Sequence, residues 1–269
     1  MKKNNLPIGV FDSGLGGLTV VCELSRILPN ESIIYFGDTG RVPYGVRSKE
    51  TIIRYSSQDI SFLKSLNVKT IVAACGTVSS VAAQTLDDLD VLTGVVRPTA
   101  LAASRLTKNG KIGVIGTKAT IKSRAYSRQL KIIDEKLSIF EKSCPLFVPL
   151  VENGVTSPED PVVLEIVRRY LIDFKKHGID TLILGCTHYP ILKDAISKIM
   201  GKNINLIDSG RETALFVANT LEKSSLLAND SSKAKYSFFV SDEIESFKFE
   251  ADKFLKWNVP YSLEKVNVQ

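Results

Sequence analysis

The sequence predicts an α/β protein made of two similar α/β domains with mostly parallel sheets, related by a pseudo-two-fold. Three observations carry that reading. Short apolar runs alternate with longer amphipathic segments, the pattern of parallel strands joined by helices. The 269 residues suffice for two moderate domains, each able to bury its own core. Three segments also recur in one order. Ile8-Gly9-Val10 returns as Ile112-Gly113-Val114, Thr70 to Cys75 returns in character as Thr181 to Cys186, and Thr99-Ala100-Leu101 returns as Thr213-Ala214-Leu215. The spacings of 104, 111 and 114 residues drift slowly, as two copies of one unit would make them.

Strands are expected at residues 8–11, 33–36, 70–74, 91–95, 111–115, 181–184, 205–207 and 236–240, each a short apolar run. Helices are expected at 17–28, 49–66, 78–86, 99–106, 123–133, 161–177 and 189–200, where polar and apolar residues interleave at helical spacing. The first carries Leu18, Val21, Cys22 and Leu24. Ser123 is placed to cap the helix holding Tyr126 and Leu130. The Ser157-Pro158-Glu159-Asp160-Pro161 stretch suits the first turn of the helix after it.

Composition excludes several classes. With 44% hydrophobic and 24% charged residues, the chain is neither disordered, collagenous nor a coiled coil. Lys and Arg outnumber Asp and Glu by 35 to 29, a net +6 spread along the chain, so no nucleic-acid partner is expected. The basic start, Met1 to Asn5, leads into a strand and turn without the apolar stretch of a signal peptide. No apolar run approaches the ~18 residues of a membrane span, so a cytoplasmic protein is expected. Cys22, Cys75, Cys144 and Cys186 are too far apart for a disulfide framework and form no C-x-x-C pair. Neither a metal-ligand set nor a pyridoxal-phosphate signature is evident, and no metal or cofactor is expected.

Cys75 and Cys186 each end an apolar strand, one per half. Ligands of open α/β sheets bind outside the carboxyl ends of the strands, so facing halves would set these thiols across one cleft. A lone cysteine there reads as a small buried hydrophobe. A matched pair with Thr77, Thr187 and His188 within two residues favours chemistry. Two thiols on opposite sides of one carbon suit inversion at an amino-acid α-carbon. One thiolate removes the α-proton, the other thiol delivers a proton to the opposite face, and the two exchange protonation states. A free thiol titrates near ~8.5, so a neighbouring base or cation must supply thiolate, and the site must stabilise the carbanion.

Phe11-Asp12-Ser13-Gly14-Leu15-Gly16-Gly17, Gly37-Asp38-Thr39, Pro43-Tyr44-Gly45 and Gly185-Cys186-Thr187-His188-Tyr189-Pro190 resemble the glutamate racemase family. So do Gly113 to Thr117, Ala125-Tyr126 and Pro149 to Glu152. These cofactor-independent enzymes belong to the aspartate/glutamate racemase group. The resemblance implies an active site between two domains, residues 1–97 plus 208–269 and residues 98–207. It implies Cys75 and Cys186 as the acid/base pair, with Asp12 assisting Cys75, and His188 and Glu152 assisting Cys186. Substrate contacts are implied for Asp12, Ser13, Tyr44, Gly45, Gly76, Thr77, Thr117, Thr120, Thr187 and His188. It further implies glutamate as the small-molecule substrate, D-glutamate destined for peptidoglycan, and a homodimer.

Bland readings stay open for the remaining candidates. Gly14, Gly16 and Gly17 suit any strand-to-helix turn, and Asp38 and Glu152 suit structural hydrogen bonding. His177 sits at a helix C-terminus, and Cys22, Cys144 and Trp257 read as packing residues. One position departs from the family pattern: Gly76 stands where an asparagine usually follows the first cysteine. Glycine keeps the N–H but lacks the amide, a loss of ~1.5–3 kcal/mol if one hydrogen bond to a charged group is missing. A working but weakened enzyme is therefore expected, improved by Gly76→Asn. The competing readings are a racemase for aspartate, an impaired glutamate-binding homologue and a redox dithiol.

Overall fold

The structure is a computed structural model and describes residues 3–82, 92–229, 233–242, 244–255 and 260–268. Ten strands occur among them: β1 (Ile8–Asp12), β2 (Ile33–Gly37), β3 (Thr70–Ala73), β4 (Leu92–Gly94), β5 (Lys111–Gly116), β6 (Ser138–Ser143), β7 (Thr181–Leu184), β8 (Asn205–Asp208), β9 (Tyr236–Val240) and β10 (Tyr261–Lys265). They form two sheets, ordered β10-β9-β2-β1-β3-β4 and β6-β5-β7-β8. Every pairing is parallel. The chain thus folds into two parallel-sheet α/β domains.

The repeat in the sequence has a topological counterpart. The segment β2-β1-β3-β4 of one sheet matches β6-β5-β7-β8 of the other, strand for strand. Ile8-Gly9-Val10 and Ile112-Gly113-Val114 are the corresponding inner strands β1 and β5. Cys75 follows β3 and Cys186 follows β7.

The described helices are α1 (Leu18–Ile27), α2 (Lys49–Ser65), α3 (Gly76–Val81), α4 (Val96–Leu106), α5 (Lys118–Ser123), α6 (Ala125–Ile133), α7 (Phe147–Glu152), α8 (Pro161–His177), α9 (Lys193–Met200), α10 (Ser209–Lys223) and α11 (Ile244–Leu255). Thr99 and Thr213 lie in α4 and α10, which follow the corresponding strands β4 and β8. Asp160 caps α8 by accepting from Val162 N at 2.7 Å, with Pro161 as the first helical residue. Before α6 the N-cap is Arg124 in the left-handed region (φ 57°), while Ser123 Oγ accepts the Ala125 N–H at 3.2 Å.

Two strands and four helices lie beyond the elements expected from sequence. β6 and β10 flank their sheets, are half or more polar and bury no residue fully, so neither shows a long apolar run. Helices α5 and α7 have six residues each, too short to display a period. α10 has a readable start, Asp208 accepting from Gly210 N at 2.8 Å, and α11 follows late in the chain. The expected helix 189–200 divides into a 3-10 turn (Tyr189–Leu192) and α9. The expected helix 78–86 begins two residues earlier, as α3; its end, the first residue of the strand at 91–95 and Trp257 lie outside the described residues.

Each sheet is buried on both faces. In the first, Ile8, Val10, Tyr35 and Phe238 pack under α1, α10 and α11. Phe11, Phe36 and Ile71 face α2 and α3 with Ile52, Ile60 and Leu63. In the second, Ile115, Leu182 and Leu184 pack with Phe147, Val167 and Leu171, and Ile112, Val114 and Ile183 with Tyr126 and Leu130. A buried side chain of this size contributes roughly 1.5–3 kcal/mol, and each half has such a core on both sides of its sheet. Cys144 is fully buried in the second core, and half-buried Cys22 reaches the Leu255 carbonyl at 3.7 Å. No described helix is long and apolar enough to cross a membrane.

Candidate active site

In the first sheet the chain lays β2 on one side of β1 and β3 on the other, which opens a crevice at the carboxyl ends of β1 and β3. The second sheet repeats this with β5 and β7. The four loops leaving these strands meet around one cavity of about 300 Å³. Ser13 and Gly14 come from the β1 loop, Cys75, Gly76 and Thr77 from β3, Thr117 and Lys118 from β5, and Cys186, Thr187 and His188 from β7. The turn holding Tyr44 and Gly45 forms one wall, and Val148, Pro149 and Glu152 of α7 form another.

Direct contacts join the two halves. Thr19 Oγ1 donates to the Thr187 carbonyl at 3.1 Å, and the Thr77 and Thr117 hydroxyls lie 3.1 Å apart. Gly16 has no room for a side chain, since a Cβ there would lie 2.2 Å from Thr187 Oγ1 and 2.6 Å from the His188 ring. Gly76 is tighter in kind: its Cβ would lie 2.4 Å from the Gly185 carbonyl oxygen, a backbone atom. The turn after Cys75 therefore rests on the turn before Cys186. Any side chain at position 76 would push against this contact, so the missing amide is not the whole effect of Gly76.

The two thiols sit in different electrostatic surroundings. Cys75 is buried, and its thiol donates to Ser13 Oγ at 3.6 Å. Burial, followed by the nearby Asp12 carboxylate, pushes this thiol up to about 12. Cys186 Sγ lies 3.8 Å from His188 Nδ1, and His188 Nε2 lies 3.3 Å from Glu152 Oε1. Burial opposes a charge on His188, but Cys186, Glu152 and Asp12 outweigh it and hold the ring up at about 10. These surroundings favour an imidazolium at His188 beside Cys186 and keep the proton on Cys75.

Asp12 lies behind the cavity surface. Its Oδ2 accepts the Gly14 N–H at 3.0 Å, its Oδ1 is buried without a hydrogen-bond partner, and burial raises its carboxyl. Thr120 also stands behind the lining, buried, with its hydroxyl 3.0 Å from that of Thr117. Tyr44 lines the cavity, but its hydroxyl turns away to the buried carboxylates of Asp38 and Asp59. Sequence reasoning missed Asp59, Arg41 and the lining residues Val42, Val46, Lys118, Pro145 and Val148. Asp59 alone carried a signal: it falls on the buried stripe Ile52, Ser56, Ile60, Leu63 of α2. His177, by contrast, stacks on Phe140 with ring centroids 4.2 Å apart, away from the cavity.

Comparison with known proteins defines the class. The model of the Asp/Glu/Hydantoin racemase family matches residues 17–217. The chain belongs to this family, and it is an amino-acid racemase, an isomerase. Its similarity within the family is to glutamate racemases. It is 45% identical over 250 residues to the glutamate racemase of Geobacter metallireducens, covering 92% of each chain. Its fold matches a Bacillus anthracis glutamate racemase isoform with a TM-score of 0.93 at 38% identity, over 98% of each chain. The Francisella tularensis glutamate racemase, solved in complex with D-glutamate, matches with a TM-score of 0.91 at 37% identity, over 99% of each chain.

Proposed function

We propose that this cleft interconverts L- and D-glutamate by proton transfer between Cys75 and Cys186. The observation that carries the reading is that both thiols follow corresponding strands of the two sheets and line one cavity. Similarity to glutamate racemases at 45% identity supports glutamate as the substrate. In the resting site Cys75 is the thiol and His188 the cation that a thiolate at Cys186 requires. The Cys186 thiolate takes the α-proton from one face, and Cys75 gives its proton to the other. The product leaves the thiols in exchanged states, and proton exchange with water restores them before the next turnover. Asp12 stands behind Cys75 and assists it, as Glu152 holds His188 for Cys186.

Ser13, Gly45, Gly76, Thr77, Thr117, Thr187 and His188 surround the substrate in this reading, with Tyr44 shaping the wall. Asp12 and Thr120 act from behind it. Lys118 adds a cation at the cavity for a substrate carboxylate. The division into residues 1–97 plus 208–269 and residues 98–207 is supported by strand membership: β5 to β8 make one sheet and all other described strands the second. A cytoplasmic homodimer supplying D-glutamate to peptidoglycan follows from the family resemblance. Incubation of the purified protein with L-glutamate, and separately with L-aspartate, should show loss of optical rotation for glutamate only. Loss for aspartate alone would overturn the substrate assignment.

A further inference from the structure

Beneath the Tyr44 turn lies a buried network that the reaction itself does not use. Asp38 Oδ2 accepts from Arg41 Nε at 2.6 Å and from the Tyr44 hydroxyl, while Asp38 Oδ1 accepts from Ser241 Oγ at 2.8 Å. Asp59 Oδ1 accepts from an Arg41 guanidinium N–H at 2.9 Å, and Asp59 Oδ2 lies 3.1 Å from the Tyr44 hydroxyl oxygen. A further Arg41 N–H reaches Gln58 Oε1 at 2.5 Å, and the guanidinium lies over the Tyr55 ring. Both carboxylates are fully buried.

Counting hydrogens and charges exposes a deficit. A phenol has one hydrogen, and the short contact to Asp38 takes it. The remaining approach of the Tyr44 oxygen to Asp59 Oδ2 then sets two oxygens together with no hydrogen between them. The charges do not balance either: two buried carboxylates face one guanidinium, and an unpaired buried charge is strongly disfavoured. One added proton resolves both. Asp38 already receives three donors and is satisfied as an anion. Asp59 Oδ2 meets the phenol oxygen and nothing else in the network.

We propose that Asp59 is a positioning residue that stays protonated and donates to Tyr44, so that Tyr44 donates to Asp38 and the cleft wall at 44–46 is held in place. Burial and the adjacent Asp38 charge favour the protonated form, with Arg41 and then the Tyr44 hydroxyl contact opposing it and Asp12 adding a more distant negative charge. The network joins four parts of the first half: the end of β2, α2, the Tyr44 turn and the residue after β9. Its effect on turnover rests on the proposed racemase reading, whereas the proton on Asp59 does not.

Two variants and one spectrum test it. Infrared difference spectra of wild type against Asp59→Asn at neutral pH, without substrate, should show a protonated-carboxyl carbonyl band in wild type that shifts in D2O. Asp59→Asn keeps a neutral donor, so kcat and KM should stay within ~3-fold of wild type. Asp59→Ala removes the donor and lets the wall move, which should raise KM for glutamate by ~10-fold with a smaller change in kcat. No band, or equal damage from Asn and Ala, would overturn the proton assignment. Wild-type KM in both variants would overturn the positioning role. If Asp59→Ala fails to fold, the band and the Asn kinetics still decide. If no variant racemises glutamate but the band is present, the racemase reading fails and the Asp59 assignment stands.

Discussion

Gly76 offers the sharpest perturbation. Replacing it by alanine adds one methyl, whose carbon would lie 2.4 Å from the Gly185 oxygen, 3.3 Å from the Gly185 carbon and 3.6 Å from Cys186 Cα. Carbon contacts shorter than 3.0 Å are essentially never seen, so the two turns must part by ~0.6 Å or more. Both sides of the contact are backbone, and no rotamer change relieves it. A displacement of about 1 Å at reacting groups costs on the order of 10²-fold, so a separation of this size should lower kcat/KM by ~10-fold. Crowding should also cost ~1–3 kcal/mol of stability, offset by ~0.5–1 kcal/mol from replacing glycine in a helix. Alanine isolates crowding, whereas asparagine adds the amide as well. The assay is kcat/KM in both directions with urea denaturation of each variant. The two directions must agree, because enantiomers have equal free energy. Unchanged kcat/KM and stability in Gly76→Ala would refute the crowding argument. A rise of ~10-fold in Gly76→Asn would show that the missing amide governs the rate instead.

Other consequences concern the residues around the thiols. His188→Asn removes the cation beside Cys186 and should reduce kcat/KM by ~10²–10⁴-fold, equally in both directions; undiminished turnover would exclude its role. His188 is raised in the fold from 6.5 to about 10, so its contribution to stability is complete below about pH 6.5 and is lost as pH rises toward about 10. The unfolding free-energy gap between wild type and His188→Asn should narrow across that window, and a widening gap would contradict the assignment. Tyr44→Phe should cost ~1–3 kcal/mol in chemical denaturation by stripping the buried Asp38 carboxylate of a donor and the buried Asp59 carboxyl of its acceptor. A neutral result would mean that Asp38 and Asp59 are satisfied without it.

Much of this was legible from residue patterns, and the limits have physical causes. The inner strands are runs such as Ile71-Val72-Ala73 and Leu182-Ile183-Leu184, buried on both sides, so they stand out in any window. Their repetition located Cys75 and Cys186 at equivalent ends. Flanking strands such as β6 are only partly buried, carry Glu141-Lys142-Ser143 in place of apolar residues and lack that signature. Pairing across the halves is harder still. Nothing local to Gly76 indicates that its partner is the Gly185 carbonyl, 109 positions away. The direction of a side chain is equally hidden. Tyr44 was readable as a site residue, yet its hydroxyl faces Asp38 and Asp59 instead of the cavity. Asp59 resembles any acid on an amphipathic helix until its place on the buried stripe is noticed.

Exchange of the α-hydrogen tests the two-thiol account most directly. Enantiopure glutamate, incubated with the protein in D2O, should invert and carry deuterium at the α-carbon of the product. Cys75→Ser and Cys186→Ser should each abolish that inversion. Inversion at the wild-type rate in both serine variants, or product that keeps its original α-hydrogen, would contradict proton transfer between these two thiols.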